Sequence, residues 1–172
     1  MSRAAPAVPA STATLHEHVR TALAGVLTAA LAGTSCRVLV PSQASSSTGP
    51  DAVLASQAVC TLLDAAEHDE VQPDLAVACQ HRSERPVLVI EVQTPDTLLR
   101  DTTSRLALYE AVRLPEYWIV DIAGRLVHAF WLNREGQYKL FQSAAPGEVL
   151  ESKALPQLAL PAWEGWLPSS EA

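Results

Sequence analysis

Residues 86–93 read Pro86-Val87-Leu88-Val89-Ile90-Glu91-Val92-Gln93. Short aliphatic runs of this kind, rich in Val and Ile and bounded by polar turns, are the signature of a buried strand. The polar turn His81–Arg85 precedes the run and Thr94-Pro95 follows it, so the pattern predicts a strand over Pro86–Val92. A second run, Glu116-Tyr117-Trp118-Ile119-Val120-Asp121, predicts another strand at Tyr117–Asp121. Between them, Leu98, Leu99, Thr102, Leu106, Tyr109 and Val112 can share one helical face, which predicts a helix from Thr97 to Val112. A helix linking two strong strands implies an α/β domain with a mixed central sheet flanked by helices.

Working outward, Leu126–Leu132 and Tyr138–Phe141 read as strands, with Gly124 and Asn133–Gly136 supplying turns. Upstream, Arg37–Val40, Ala58–Leu63 and Val71–Cys79 read as strands, and the Ser-, Gly- and Pro-rich segment around 42–57 reads as a long loop. Val19, Leu23, Val26, Leu27, Ala30 and Leu31 recur at helical spacing from Leu15 onward until Gly33 stops the pattern. Residues 1–13 show no apolar period and read as a disordered arm, 14–168 as one domain, and 169–172 as a flexible C-terminus. The tail from Ala145, with prolines alternating with Leu, Trp163 and Trp166, reads as an irregular or short helical cap.

The chain has 172 residues, enough for one domain with a substantial core and too few for two ordinary ones. Its net charge of −7 argues against a broad nucleic-acid footprint, which draws on clustered Lys and Arg. Arg82, Arg85, Arg100 and Arg105 could still supply a local basic groove. Cys36, Cys60 and Cys79 are odd in number and lack zinc-site spacing, so they read first as buried free thiols in a reducing cytoplasm, with zinc or a disulfide as the alternative. Thr21–Ala32 is apolar enough for the core of a secretory signal, but Glu17 and Arg20 just upstream and the long Pro-containing lead count against one. No segment has the uncharged apolar length that spans a bilayer.

Glu91 carries the sharpest chemical signal. A carboxylate at the end of a buried Val-Leu-Val-Ile run is costly unless it is paired or solvated. Glu91 and Gln93 are two apart on a strand and so share a face, and Asp74 opens a strand that could lie alongside. Two such carboxylates, with the Val92 carbonyl and waters, would suit Mg²⁺ or Mn²⁺ and metal-assisted phosphodiester cleavage. The structural alternative makes Asp74 a turn residue and Glu91 a strand terminator. Asp101, Arg105 and Tyr109 form an i, i+4, i+8 stripe, which by spacing alone is an ordinary helix-surface ion pair. His16 and His18 open a helix and read by position as solvated cap residues. No nucleophile elbow, phosphate-binding P-loop or dinucleotide-binding glycine turn is present.

Taken in series, Pro73-Asp74, Leu88-Val89-Ile90-Glu91-Val92, Thr94-Pro95, Asp101 with Arg105 and Tyr109, and Glu116-Tyr117-Trp118-Ile119-Val120-Asp121 resemble the Uma-two family of restriction endonucleases, within the PD-(D/E)XK nuclease superfamily. The resemblance runs from about Val71 to Leu132 and extends more loosely back to His16 in the opening helix. It implies a restriction-endonuclease-like fold, DNA as substrate, a Mg²⁺ or Mn²⁺ ion held by Asp74 and Glu91, and a homodimer. It also implies that Arg105 stands where the family carries lysine, with Asp101 and Tyr109 as its partners on the helix face. Gln93 occupies the position of the superfamily's own lysine and brings no charge. Arginine stabilises phosphate but is a poor base, so these two departures weaken the expected catalysis. The leading expectation is thus a metal-dependent DNA endonuclease. The alternative is a catalytically inactive nuclease-fold protein acting as a dimerising or regulatory binding module. A small-molecule enzyme or periplasmic protein rests only on the first helix.

Overall fold

A computed structural model describes residues 11–40, 73–80, 85–94 and 98–168, with the side chains of 98–102 outside the description. Its elements are α1 (Thr12–Ala30), β1 (Cys36–Leu39), β2 (Leu75–Cys79), β3 (Pro86–Gln93), α2 (Leu98–Ala111), β4 (Glu116–Asp121), β5 (Leu126–Leu132), β6 (Tyr138–Ala144), β7 (Val149–Glu151) and β8 (Ala159–Pro161). The first six strands form one sheet in sequence order. Among the described strands only β3 and β4 pair in parallel, and α2 is the crossover that such a pair requires. Every other neighbouring pair in that sheet is antiparallel. The result is the mixed sheet with flanking helices expected from the sequence.

Two apolar layers enclose the sheet. On one face Val19, Leu23 and Leu27 of α1 pack with Ile90, Val92, Trp118 and Val120, and Leu150, Leu158 and Trp166 close the same layer. On the other face Leu108, Tyr109 and Val112 of α2 pack with Val89, Tyr117, Ile119 and Tyr138. Because both faces are covered, all eight residues of β3 are buried. That double burial is why the strand reads as an unbroken apolar run rather than an alternating one.

The helix α1 starts earlier than the apolar period suggests. Ser11 accepts a hydrogen bond from the Thr14 N–H and caps the first turn, so part of the arm read over 1–13 is helical. Thr12, Ala13 and Thr14 have no apolar period because that turn faces solvent. Residues 1–10 and 169–172, the predicted strand Ala58–Leu63 and the 42–57 loop lie outside the described residues. The tail also differs from expectation: β7 and β8 pair as a small antiparallel hairpin, Leu150 opposite Leu160.

The cysteines require a correction. Cys36 and Cys79 form a disulfide across β1 and β2, and Cys60 lies outside the described residues. The two are register partners, 43 residues apart in sequence. Sheet pairing, not local spacing, brings them together, and the inference of a reducing compartment from unpaired thiols falls. Among the described residues no helix is long and apolar enough to cross a membrane.

Candidate metal centre and its basic partner

The antiparallel register of β2 and β3 sets Leu75 opposite Ile90. One step further out, Asp74 stands opposite Glu91, at the same end of the sheet and on the face covered by α2. Asp74 accepts the Val92 backbone N–H at 2.8 Å through Oδ2. Thus Val92, offered by the sequence as a carbonyl ligand, meets Asp74 through its amide. From the second turn of α1, Nε2 of His16 comes within 3.2 Å of both Asp74 carboxylate oxygens. That hydrogen bond, only partly offset by burial, raises the His16 pKa. His16 is therefore a partner of Asp74 rather than a solvated cap.

Glu91 is the most heavily engaged group of the site. Its Oε1 accepts Nη1 of Arg105 at 2.6 Å and the Tyr109 hydroxyl at 2.8 Å. Arg105 and Tyr109 are four apart on α2 and so point from one stripe onto the same oxygen. Arg105 makes an ion pair from helix to strand. Asp101 lies one turn earlier on that stripe, with its side chain outside the described residues.

Burial pushes the Glu91 carboxyl up to about 7; Arg105 opposes that rise, the Asp74 charge adds to it, and Tyr109 opposes it. Burial and then the neighbouring Glu91 charge hold the Tyr109 hydroxyl well above its ordinary range. Burial disfavours the Arg105 cation, but Glu91 and the tyrosines beside it together outweigh this and raise its pKa.

Gln93 is buried beside Asp121 in the parallel register and shares the face of Glu91. Its carbonyl accepts the Ile122 N–H. Asp121 is committed to the β4–β5 turn, where its Oδ1 accepts the Gly124 N–H and a Cβ at Gly124 would strike its carboxylate. Arg85 immediately precedes β3, six residues from Glu91 and hence about 20 Å away along an extended strand, so it does not flank the site. Arg82 and the Arg100 side chain lie outside the described residues.

Two features had no sequence signal. The Tyr117 hydroxyl is buried on the α2 face without a hydrogen-bond partner among the described residues, its ring 5.0 Å from that of Tyr109. Glu116, at the start of β4, is fully buried yet takes no part in the site. It accepts Nε1 of Trp118, the Ser152 hydroxyl and the Ala154 N–H.

The donor set fits a small hard cation. Asp74 and Glu91 are close enough for their charges to repel, a repulsion that a cation between them would relieve. Among the described residues no three His, Cys, Asp or Glu side chains converge on one point. Backbone and water oxygens would therefore complete the shell, as Mg²⁺ tolerates.

A mixed sheet with one parallel pair, crossed by a helix and carrying paired acids at its end, defines the restriction-endonuclease-like class of α/β proteins. Over residues 6–162 the chain matches the profile of the Uma2 family, described as "Putative restriction endonuclease". The chain belongs to the Uma2 family. A solved structure from Anabaena variabilis, described as a "putative nuclease belonging to DUF820", is similar at a TM-score of 0.56 and 12% identity, covering 91% of this chain and 80% of that one. At that identity the likeness speaks for the fold. No curated protein matches the chain.

Proposed function

We propose that the chain is a Mg²⁺- or Mn²⁺-dependent DNA endonuclease that hydrolyses phosphodiester bonds, working as a homodimer. The observation that carries the cleavage reading is the buried Glu91, opposite Asp74 in register and gripped at one oxygen by Arg105 and Tyr109. Asp74 and Glu91, with the Val92 carbonyl, would hold the ion. When bound, such an ion lowers the pKa of water and screens phosphate charge. Tyr109 fixes the Glu91 carboxylate, and His16 does the same for Asp74. Arg105 offers a planar, permanently charged fork to a phosphate oxygen in the transition state. Gln93, uncharged, orients a water through its amide.

Supercoiled plasmid with Mn²⁺ tests this reading. The wild type should nick it, Asp74→Asn should not, and Mn²⁺ should raise the wild-type melting temperature by ligand linkage. A folded wild type whose melting curve ignores millimolar Mn²⁺ would end the metalloenzyme reading. A second reading has its own support, because the Arg105 guanidinium already offsets the charge of Glu91 as a metal ion would. On that reading the fold serves as a dimerising or regulatory module, and Asp74-dependent nicking would exclude it.

A further inference from the structure

We propose that Arg105 competes with the divalent ion for Glu91, so that the ion binds tightly only after a nucleic-acid phosphate has drawn the guanidinium off the carboxylate. The inference rests on the reading of Asp74 and Glu91 as an ion-binding pair. It assigns to the arginine a gating role distinct from transition-state stabilisation.

The geometry divides two tasks between two donors on one oxygen. Tyr109 is neutral and buried, and its hydroxyl reaches Glu91 Oε1 at 2.8 Å. Arg105 is cationic and reaches the same Oε1 at 2.6 Å, with 24% of its side chain exposed against 9% for Glu91. If Arg105 departs, Tyr109 remains and the carboxylate keeps its position. What changes is the charge: with the guanidinium in place, an arriving dication meets a carboxylate already neutralised and a positive charge beside it. Repulsion of that kind is strong where solvent screening is poor. A phosphate approaching from solvent is an alternative partner for the exposed guanidinium, because its oxygens match the planar fork. Moving Arg105 onto phosphate restores the full charge of Glu91 to the ion. Ion and phosphate then bind cooperatively, and by linkage the coupling is reciprocal. With a neutral residue at this position, Asp74 and Glu91 would bind the ion readily and the coupling would be lost.

Electron paramagnetic resonance of free Mn²⁺ measures the ion's affinity without relying on turnover. Arg105→Met should bind Mn²⁺ about tenfold more tightly than the wild type, within the usual range for coupled sites. Adding Asp74→Asn to Arg105→Met should remove that binding, which ties it to this centre. In the wild type, a short duplex oligodeoxynucleotide on ice should tighten Mn²⁺ about tenfold after subtraction of the ion held by DNA alone, and Arg105→Met should show no such gain. A folded Arg105→Met that binds Mn²⁺ no better than wild type overturns the gating while leaving the metal pair intact. If that variant does not fold, the wild-type coupling decides: ion affinity indifferent to the duplex overturns the proposal. Absence of Mn²⁺ binding in every protein, with or without duplex, overturns both the gating and the metal reading beneath it.

Discussion

Glu91 is held in the folded chain at a cost that depends on pH. Its carboxyl is raised to about 7 from an ordinary 4.5, chiefly by burial. A group raised in this way keeps a proton in the folded state that the unfolded state has already released. Its contribution to stability is therefore complete below the unfolded value and is lost as pH rises through the folded one. From about pH 4.5 to about pH 7 the loss is on the order of 3 kcal/mol. On this account the wild type should melt at progressively lower temperature across this window, and the raised pKa of His16 adds a loss of the same sign only above its ordinary value of 6.5. Glu91→Gln keeps the shape and removes the titration. Its melting temperature should follow pH with a visibly shallower slope, read by calorimetry in matched buffers. Equal slopes for the two proteins would show that Glu91 is already ionised throughout and that Arg105, not burial, sets its state.

At the scale of elements, what was legible in the sequence follows from where the partners of each segment lie. β3, α2 and β4 carry their own periodicity, and each was placed to within a residue or two. Asp74 and Glu91 could be set side by side because one strand opens where the other closes. The disulfide and the contacts of Glu116 were not legible, since both join segments far apart in the chain. Glu116 looks like the polar edge of an apolar run, yet its donors Ser152 and Ala154 lie 36 and 38 residues onward, in a tail whose hairpin strands are only three residues each. That carboxylate fastens the C-terminal segment to β4. Removing it would leave three buried donors without their acceptor, and each hydrogen bond to a charged group contributes about 1.5–3 kcal/mol. Glu116→Ala should thus lower unfolding free energy by about 3 kcal/mol or more in urea titrations. It should leave Mn²⁺ affinity at Asp74 and Glu91 unchanged. A loss below about 1 kcal/mol would mean that water replaces the carboxylate and that the clasp is dispensable.

The whole molecule sets an electrostatic condition on any encounter with DNA. With 12 Lys and Arg against 19 Asp and Glu, the chain as a whole repels a polyphosphate. Its described site places two carboxylates at the sheet end where a phosphate would have to arrive, with Arg105 already engaged by Glu91. DNA binding without divalent ions should therefore be weak, and the acids themselves should be part of the reason. Fluorescence anisotropy with a labelled duplex separates these contributions. In EDTA, Asp74→Asn should bind about fivefold more tightly than wild type, because one carboxylate facing phosphate at poorly screened distance costs about 1 kcal/mol. Mg²⁺ should raise the wild-type affinity and have little effect on Asp74→Asn, so the order of binding in EDTA is the reverse of the order expected for cleavage. A wild type that binds equally well in EDTA and in Mg²⁺ would place the DNA-contacting surface away from the acid pair. The net charge would then bear only on encounter rates, and the fold would be engaging nucleic acid through a face other than the one that holds Asp74 and Glu91.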